Sequence, residues 1–266
     1  MRAYLSIIKI RFNLLIQYRV AAIAGIITQF FFGMILVMVL HGFYSSTSNP
    51  MPIDYPSAAT FIWIGQAMLG MIPWGGDKEI QDLIRKGDVA YELIRPIDLY
   101  DYWFARAFAL RTAPTILRAI PLFTMALLLP KDYGMILPPN IFAFLAWIVT
   151  TFGALLISCT ITNIINITTL YSISGEGIIR LLSAIVNLFS GLVVPLPLFP
   201  DKIRQILYLL PFNGLLNIPA RFFTGDIPFN KLINYFGFQL IWAFILYVFG
   251  KWILKKKIKN IIVQGG

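Results

Sequence analysis

Residues 20–40 read VAAIAGIITQFFFGMILVMVL, without one Asp, Glu, Lys or Arg. About 20 predominantly apolar residues, rising about 1.5 Å each in a helix, cross a hydrocarbon core about 30 Å thick. The stretch therefore reads as a membrane-spanning helix. Five others are similar: 57–74, 112–129, 141–166, 178–199 and 232–250. Of 266 residues, 58% are hydrophobic and 13% charged, against roughly 45–50% and about 25% in soluble domains. One domain of this size cannot hide so much apolar surface from water. The expectation is an all-α polytopic membrane protein: one membrane domain over 1–266, with six transmembrane helices. Disordered, collagenous and disulfide-built classes are excluded. The single cysteine, Cys159, permits no internal disulfide or cysteine-based metal site.

Charge sets the orientation. Lys and Arg concentrate on one side of these spans, seventeen of the twenty-two; the other side holds only Lys131, Lys202, Arg204, Arg221 and Lys231. Short positive segments stay cytoplasmic, so both termini are expected there, and the net charge of +10 matches anionic inner-leaflet lipid rather than nucleic acid. Residues 1–19 read as an amphipathic helix lying in the interface, with Tyr4, Leu5, Ile8, Phe12, Leu15 and Ile16 on its apolar side, and not as a cleaved leader. Arg118 interrupts the third span, whose helix is expected to begin near Asp101. Arg111 and Arg118, seven residues apart on one face, either line an inner vestibule or snorkel to lipid headgroups.

Residues 77–101 form the most charged segment. Acidic Asp77, Glu79 and Asp82 sit where a helix dipole favours anions, Arg85 and Lys86 where it favours cations, with Gly87 a break and Pro96 a stop. Two readings stand: a solvated helix packed under the bundle, or a docking element for a cytoplasmic partner. Between the fifth and sixth spans, residues 200–230 are proline-punctuated yet apolar. Their two segments are each too short to cross, so two short re-entrant or interfacial helices are expected on the outer face.

Catalytic chemistry is missing. Gly75-Gly76-Asp77-Lys78 lacks phosphate-binding-loop spacing, and His41 is the only histidine. No chain of membrane carboxylates marks an ion route. A transporter built this way must borrow its energy; a membrane-embedded enzyme or sensor subunit is the alternative.

The stretch Gly87-Asp88-Val89-Ala90-Tyr91-Glu92-Leu93-Ile94-Arg95-Pro96 resembles the G-[DE]-[IV]-x-x-x-L-x-R-P element of one branch of bacterial ABC-2 permeases. Leu192-Val193-Val194-Pro195-Leu196, Leu210-Pro211-Phe212 and Val263-Gln264-Gly265-Gly266 resemble that branch's fifth-span, outer-helix and C-terminal patterns. The resemblance implies a permease subunit in a bacterial inner membrane, paired with a second permease and seated on a separate cytoplasmic ATPase. That partner would bind the ATP and magnesium, leaving this chain without a cofactor. Residues 77–96 become the coupling loop, with Glu79, Asp82, Leu83, Arg85, Gly87, Arg95 and Pro96 as coupling residues. The cargo would be an amphipathic small molecule, peptide or lipid-like compound. Such a cargo needs apolar walls with few hydrogen-bonding groups, which makes Phe31, Trp63, Gln66, Asn187 and Phe189 candidates for its path. The even span count predicts that reporters fused to either terminus are active in the cytoplasm; a translocated C-terminus breaks the six-span reading.

Overall fold

The computed structural model describes residues 2–47, 50–94, 96–171 and 176–258. Every regular element among the described residues is a helix: α1 (Arg2–Ile16), α2 (Arg19–Ser46), α3 (Tyr55–Ala67), α4 (Lys78–Lys86), α5 (Val89–Leu93), α6 (Leu99–Leu128), α7 (Ile141–Thr168), α8 (Glu176–Phe189), α9 (Asp201–Leu209), α10 (Asn217–Phe223) and α11 (Leu232–Ile258), joined by short 3-10 turns.

Among the described residues, three helices are long and apolar enough to cross a bilayer: Val20–Ser46, Ile141–Thr168 and Phe229–Ile258, the last including a 3-10 turn before α11. α9 and the segment Pro211–Phe223 form a pair bent by 78°, which counts as a fourth crossing if read as one broken span. The bend falls at Pro211, which fixes its own φ and pushes Leu210 into extended backbone (φ −81°, ψ 152°). α6 spans 30 residues, or roughly 45 Å, and starts two residues before Asp101; its arginines keep it from being uniformly apolar. It also contains Pro114 and Pro121.

Two of the expected spans need correction. The helix over 57–74 stops at Ala67, and that over 178–199 stops at Phe189, so α3 and α8 have 13 and 14 residues and reach only about 20 Å each. α8 is ended by Gly191 at φ +89°, a conformation open to glycine without a Cβ penalty. α3 passes through a 3-10 turn at Leu69–Met71 into non-helical backbone.

That backbone is bonded at most of its carbonyls, as membrane depth demands. Ser158 of α7 donates to Met71 O, Ser183 of α8 to Trp74 O, and Arg111 of α6 to Ile72 O (3.0 Å) and Gly75 O, while Asp77 N–H donates to Asn166 Oδ1 of α7 (2.8 Å). Gly76 sits so close to α7 that a Cβ there would be 2.1 Å from Asn166 Oδ1.

α7 is the central post, packed on α6, α10 and α11, while α3 is buried between α2, α6 and α10. α1 packs along the first part of α6. Gln239, fully buried on α11, donates from Nε2 to Thr150 O (2.9 Å) and Gly214 O (2.8 Å). Gly153 makes room for it: a Cβ there would meet Gln239 Oε1 at 2.4 Å. Gln239→Ala should cost about 1–2 kcal/mol, read as a lower melting temperature in detergent. Gly153→Ala should also destabilise, but the two losses should not add, because the smaller side chain at 239 relieves the clash. Full additivity would show that the pair does not share one space.

Candidate functional site

At one end of the bundle, four charged side chains join three helices. Asp77 caps α4: its Oδ1 accepts Glu79 N–H (3.0 Å), placing an anion at the helix start. Its Oδ2 accepts Arg106 Nε (2.9 Å) from α6. Arg106, only 2% exposed along its side chain, also reaches Glu79 Oε2 from Nη2 (2.9 Å). Arg11 of α1 donates to the same Glu79 oxygen (2.6 Å). Burial works to raise the Glu79 pKa, but hydrogen bonds and charge from Arg11 and Arg106 outweigh it and hold it below the ordinary value. One carboxylate thus ties α1, α4 and α6 together, and its charge persists at neutral pH.

α4 then presents two faces. Ile80 and Gln81 are buried inward; Asp82, Arg85 and Lys86 are exposed, and Leu83 is half-buried. Asp82 and Arg85 make only a loose surface pair at 3.8 Å. Gly87 closes the helix at φ +80°. In α5, Glu92 is buried and accepts Trp103 Nε1 (2.9 Å), whereas Tyr91 and Ile94 are 72% and 79% exposed. Pro96 is exposed; Arg95 lies outside the described residues, as does the C-terminal Val263-Gln264-Gly265-Gly266. Of the expected coupling residues, Glu79 is thus an internal tie, while Asp82 and Arg85 face outward. Arg11, Arg106, Asn166 and Glu92 were not among the expected coupling residues. Only the capping position of Asp77 carried a local signal, since the other partners are 11 to 89 residues apart.

The membrane candidates separate in space. Trp63 lies in the core, its Nε1 bonded to Tyr133 O (2.8 Å) and its ring 5.6 Å from Phe30. Phe31 points outward from α2, and Phe189 lies beside Phe212. Asn187 is part-buried, its Oδ1 unbonded. Gln66 is buried and lines a cleft of about 350 Å³ with Thr28, Gln29, Phe32, Trp74 and Leu192, between α2, α3 and the turn after α8. Arg111 is buried, its three nitrogens bonded to Thr162 Oγ1 (2.9 Å), Ile72 O and Gly75 O. Arg118 lies against Gly25 of α2.

Residues 55–265 match the family model described as ABC-2 family transporter protein. The chain belongs to that family. No curated protein matches it. Membership in the ABC-2 family, together with the long apolar helices, makes this a multi-pass membrane protein and supports a transport subunit over an enzyme. In this ABC-2 chain the charged helix α4 is braced on α6 by Arg106 and on α1 by Arg11. Removing a buried partner leaves an uncompensated charge, so Arg106→Gln should lower stability by about 3–5 kcal/mol. Glu79→Gln, on an exposed carboxylate, should cost under about 1 kcal/mol. A carboxylate held below its ordinary pKa stabilises above that ordinary value, about 4.3, and the contribution fades as pH falls through the lowered one. Thermal unfolding across acid pH should therefore show a shallower loss in Glu79→Gln than in the unaltered chain.

Proposed function

We propose that this chain is one permease of an ATP-driven exporter in a bacterial inner membrane, crossing six times with both termini in the cytoplasm. α6 is the third crossing. α3 with the bonded backbone at 71–77, and α8 with its following turn, make the second and fifth; the bent pair caps the outer face. A second permease and a separate cytoplasmic ATPase, which binds ATP and magnesium, complete the transporter. The cargo is an amphipathic small molecule, peptide or lipid-like compound, and the cleft at Gln66 supports a path between α2 and α3.

One observation carries the reading. α4 is braced inward through Asp77, Arg106 and Asn166, while Asp82 and Arg85 lie exposed on its far side, and Tyr91 and Ile94 on and just after α5. A partner that pushes on the exposed face therefore pushes on α6 and α7 together. Coupling requires the ATPase to interact differently with two permease states, and a rigidly mounted, outward-facing charged helix is suited to that contact.

The test uses the permease reconstituted with its ATPase. Asp82→Ala with Arg85→Ala, leaving the Glu79 tie intact, should preserve insertion and melting temperature yet remove the stimulation of ATP hydrolysis by the permease. Full stimulation in that double variant would overturn the docking assignment.

A further inference from the structure

Two polar groups along the inner face of α2 have no protein partner. Gln29 is 3% exposed, and neither atom of its amide is hydrogen-bonded. One turn toward the start of α2 on the same face, Gly25 opens space for the Arg118 guanidinium: a Cβ at Gly25 would lie 2.6 Å from Cζ and 2.7 Å from Nε. Arg118 Nε is buried without a partner, and no carboxylate or acceptor among the described residues pairs with this side chain. Gln29 also lines the cleft of about 350 Å³, whose other walls include Gln66, Phe32, Trp74 and Leu192.

Nothing in the packing rewards this arrangement. An unbonded buried amide is costly, and an unpaired cation within a spanning segment is costlier still. Arg111 shows the contrast, since its nitrogens all find acceptors, Thr162 Oγ1 on α7 and two carbonyls of the broken backbone after α3. Arg118 offers five N–H donors in a fork that suits a carboxylate or phosphate, and Gln29 adds an amide one turn away. The cleft walls are mostly apolar and aromatic, with Thr28, Gln29 and Gln66 as their polar side chains and no acidic residue among them.

Arg118 itself lies outside the lining of the cleft and reaches it only through Gly25, one turn from Gln29. We propose that an anionic amphiphile, a carboxylate or phosphate on an apolar chain, binds here as the cargo of the permease, its chain in the cleft between α2 and α3 and its head group past Gln29 at Arg118. The proposal rests on the permease reading for the meaning of the site, but binding alone tests it. The full chain in phosphatidylcholine nanodiscs is photolabelled with a diazirine-bearing hexadecanoate and the labelled peptides are mapped.

Label should fall on α2, α3 and residues 190–194, and hexadecanoate should displace it about tenfold better than hexadecanol, the worth of one hydrogen-bonded charge. Gln29→Glu, which supplies Arg118 with an internal carboxylate, and Gly25→Ala, which displaces the guanidinium but keeps its charge, should each cut labelling to a similar extent; Leu181→Ala, on the exposed side of α8, should not. Equal competition by hexadecanol, or undiminished labelling in both α2 variants, overturns the site. Loss of labelling when phosphatidylglycerol replaces phosphatidylcholine assigns the cleft to bilayer lipid and overturns the cargo. Failure here, with the response of the Asp82 and Arg85 variant intact, leaves the permease reading standing.

Discussion

A helix that stops inside a membrane must hand its carbonyls to something other than water, and the stretch from Met71 to Asp77 shows how this chain does so. Ser158, Ser183, Arg111 and Asn166 come from three different helices and converge on one short length of backbone. Each bond is modest, but the alternative is an unbonded peptide group in hydrocarbon. The convergence fixes α6, α7 and α8 around the end of α3. It also delivers Asp77 to the point where it caps α4 and meets Arg106, so the position of the charged helix follows from the repair of a broken one.

Length and composition alone read α2, α7 and α11 correctly, because a long apolar helix needs no partner to be recognised. A break at Pro211 between two short helices was also readable, since proline acts locally. α3 and α8 were not. Their sequences stay apolar past Ala67 and Phe189, and the ends are set by a 3-10 turn and by a left-handed Gly191, whose conformation depends on what packs around it. The same division holds at the charged end. Asp77, Gly87 and the dipole-matched charges of α4 follow a local pattern, whereas the pairing of Glu79 with Arg11 and Arg106 joins residues far apart in the chain. A pattern of charges does not say which of its members faces inward.

The arginines of α6 make the point sharply, for one helix carries three of them in three environments. Arg106 meets carboxylates, Arg111 meets neutral carbonyls and a hydroxyl, and Arg118 meets a glycine. Sequence spacing puts Arg111 and Arg118 on one face, yet their neighbours come from α7 and the chain after α3 in one case and from α2 in the other.

Pro114 and Pro121 give α6 an uneven stiffness. Each lacks the N–H that would bond the carbonyl four residues earlier, at Leu110 and Leu117, so the ladder is interrupted twice in the middle of the helix. Below the first gap α6 is bolted to α1 and α4 through Arg106; above the second it is plain apolar helix. Arg118 sits between the gaps, in the part of α6 that bends at least cost, and no hydrogen bond to the neighbouring helix has to break when that part tilts. The two missing ladder bonds therefore flank the turn that carries Arg118, the one cation of α6 with no partner among the described residues.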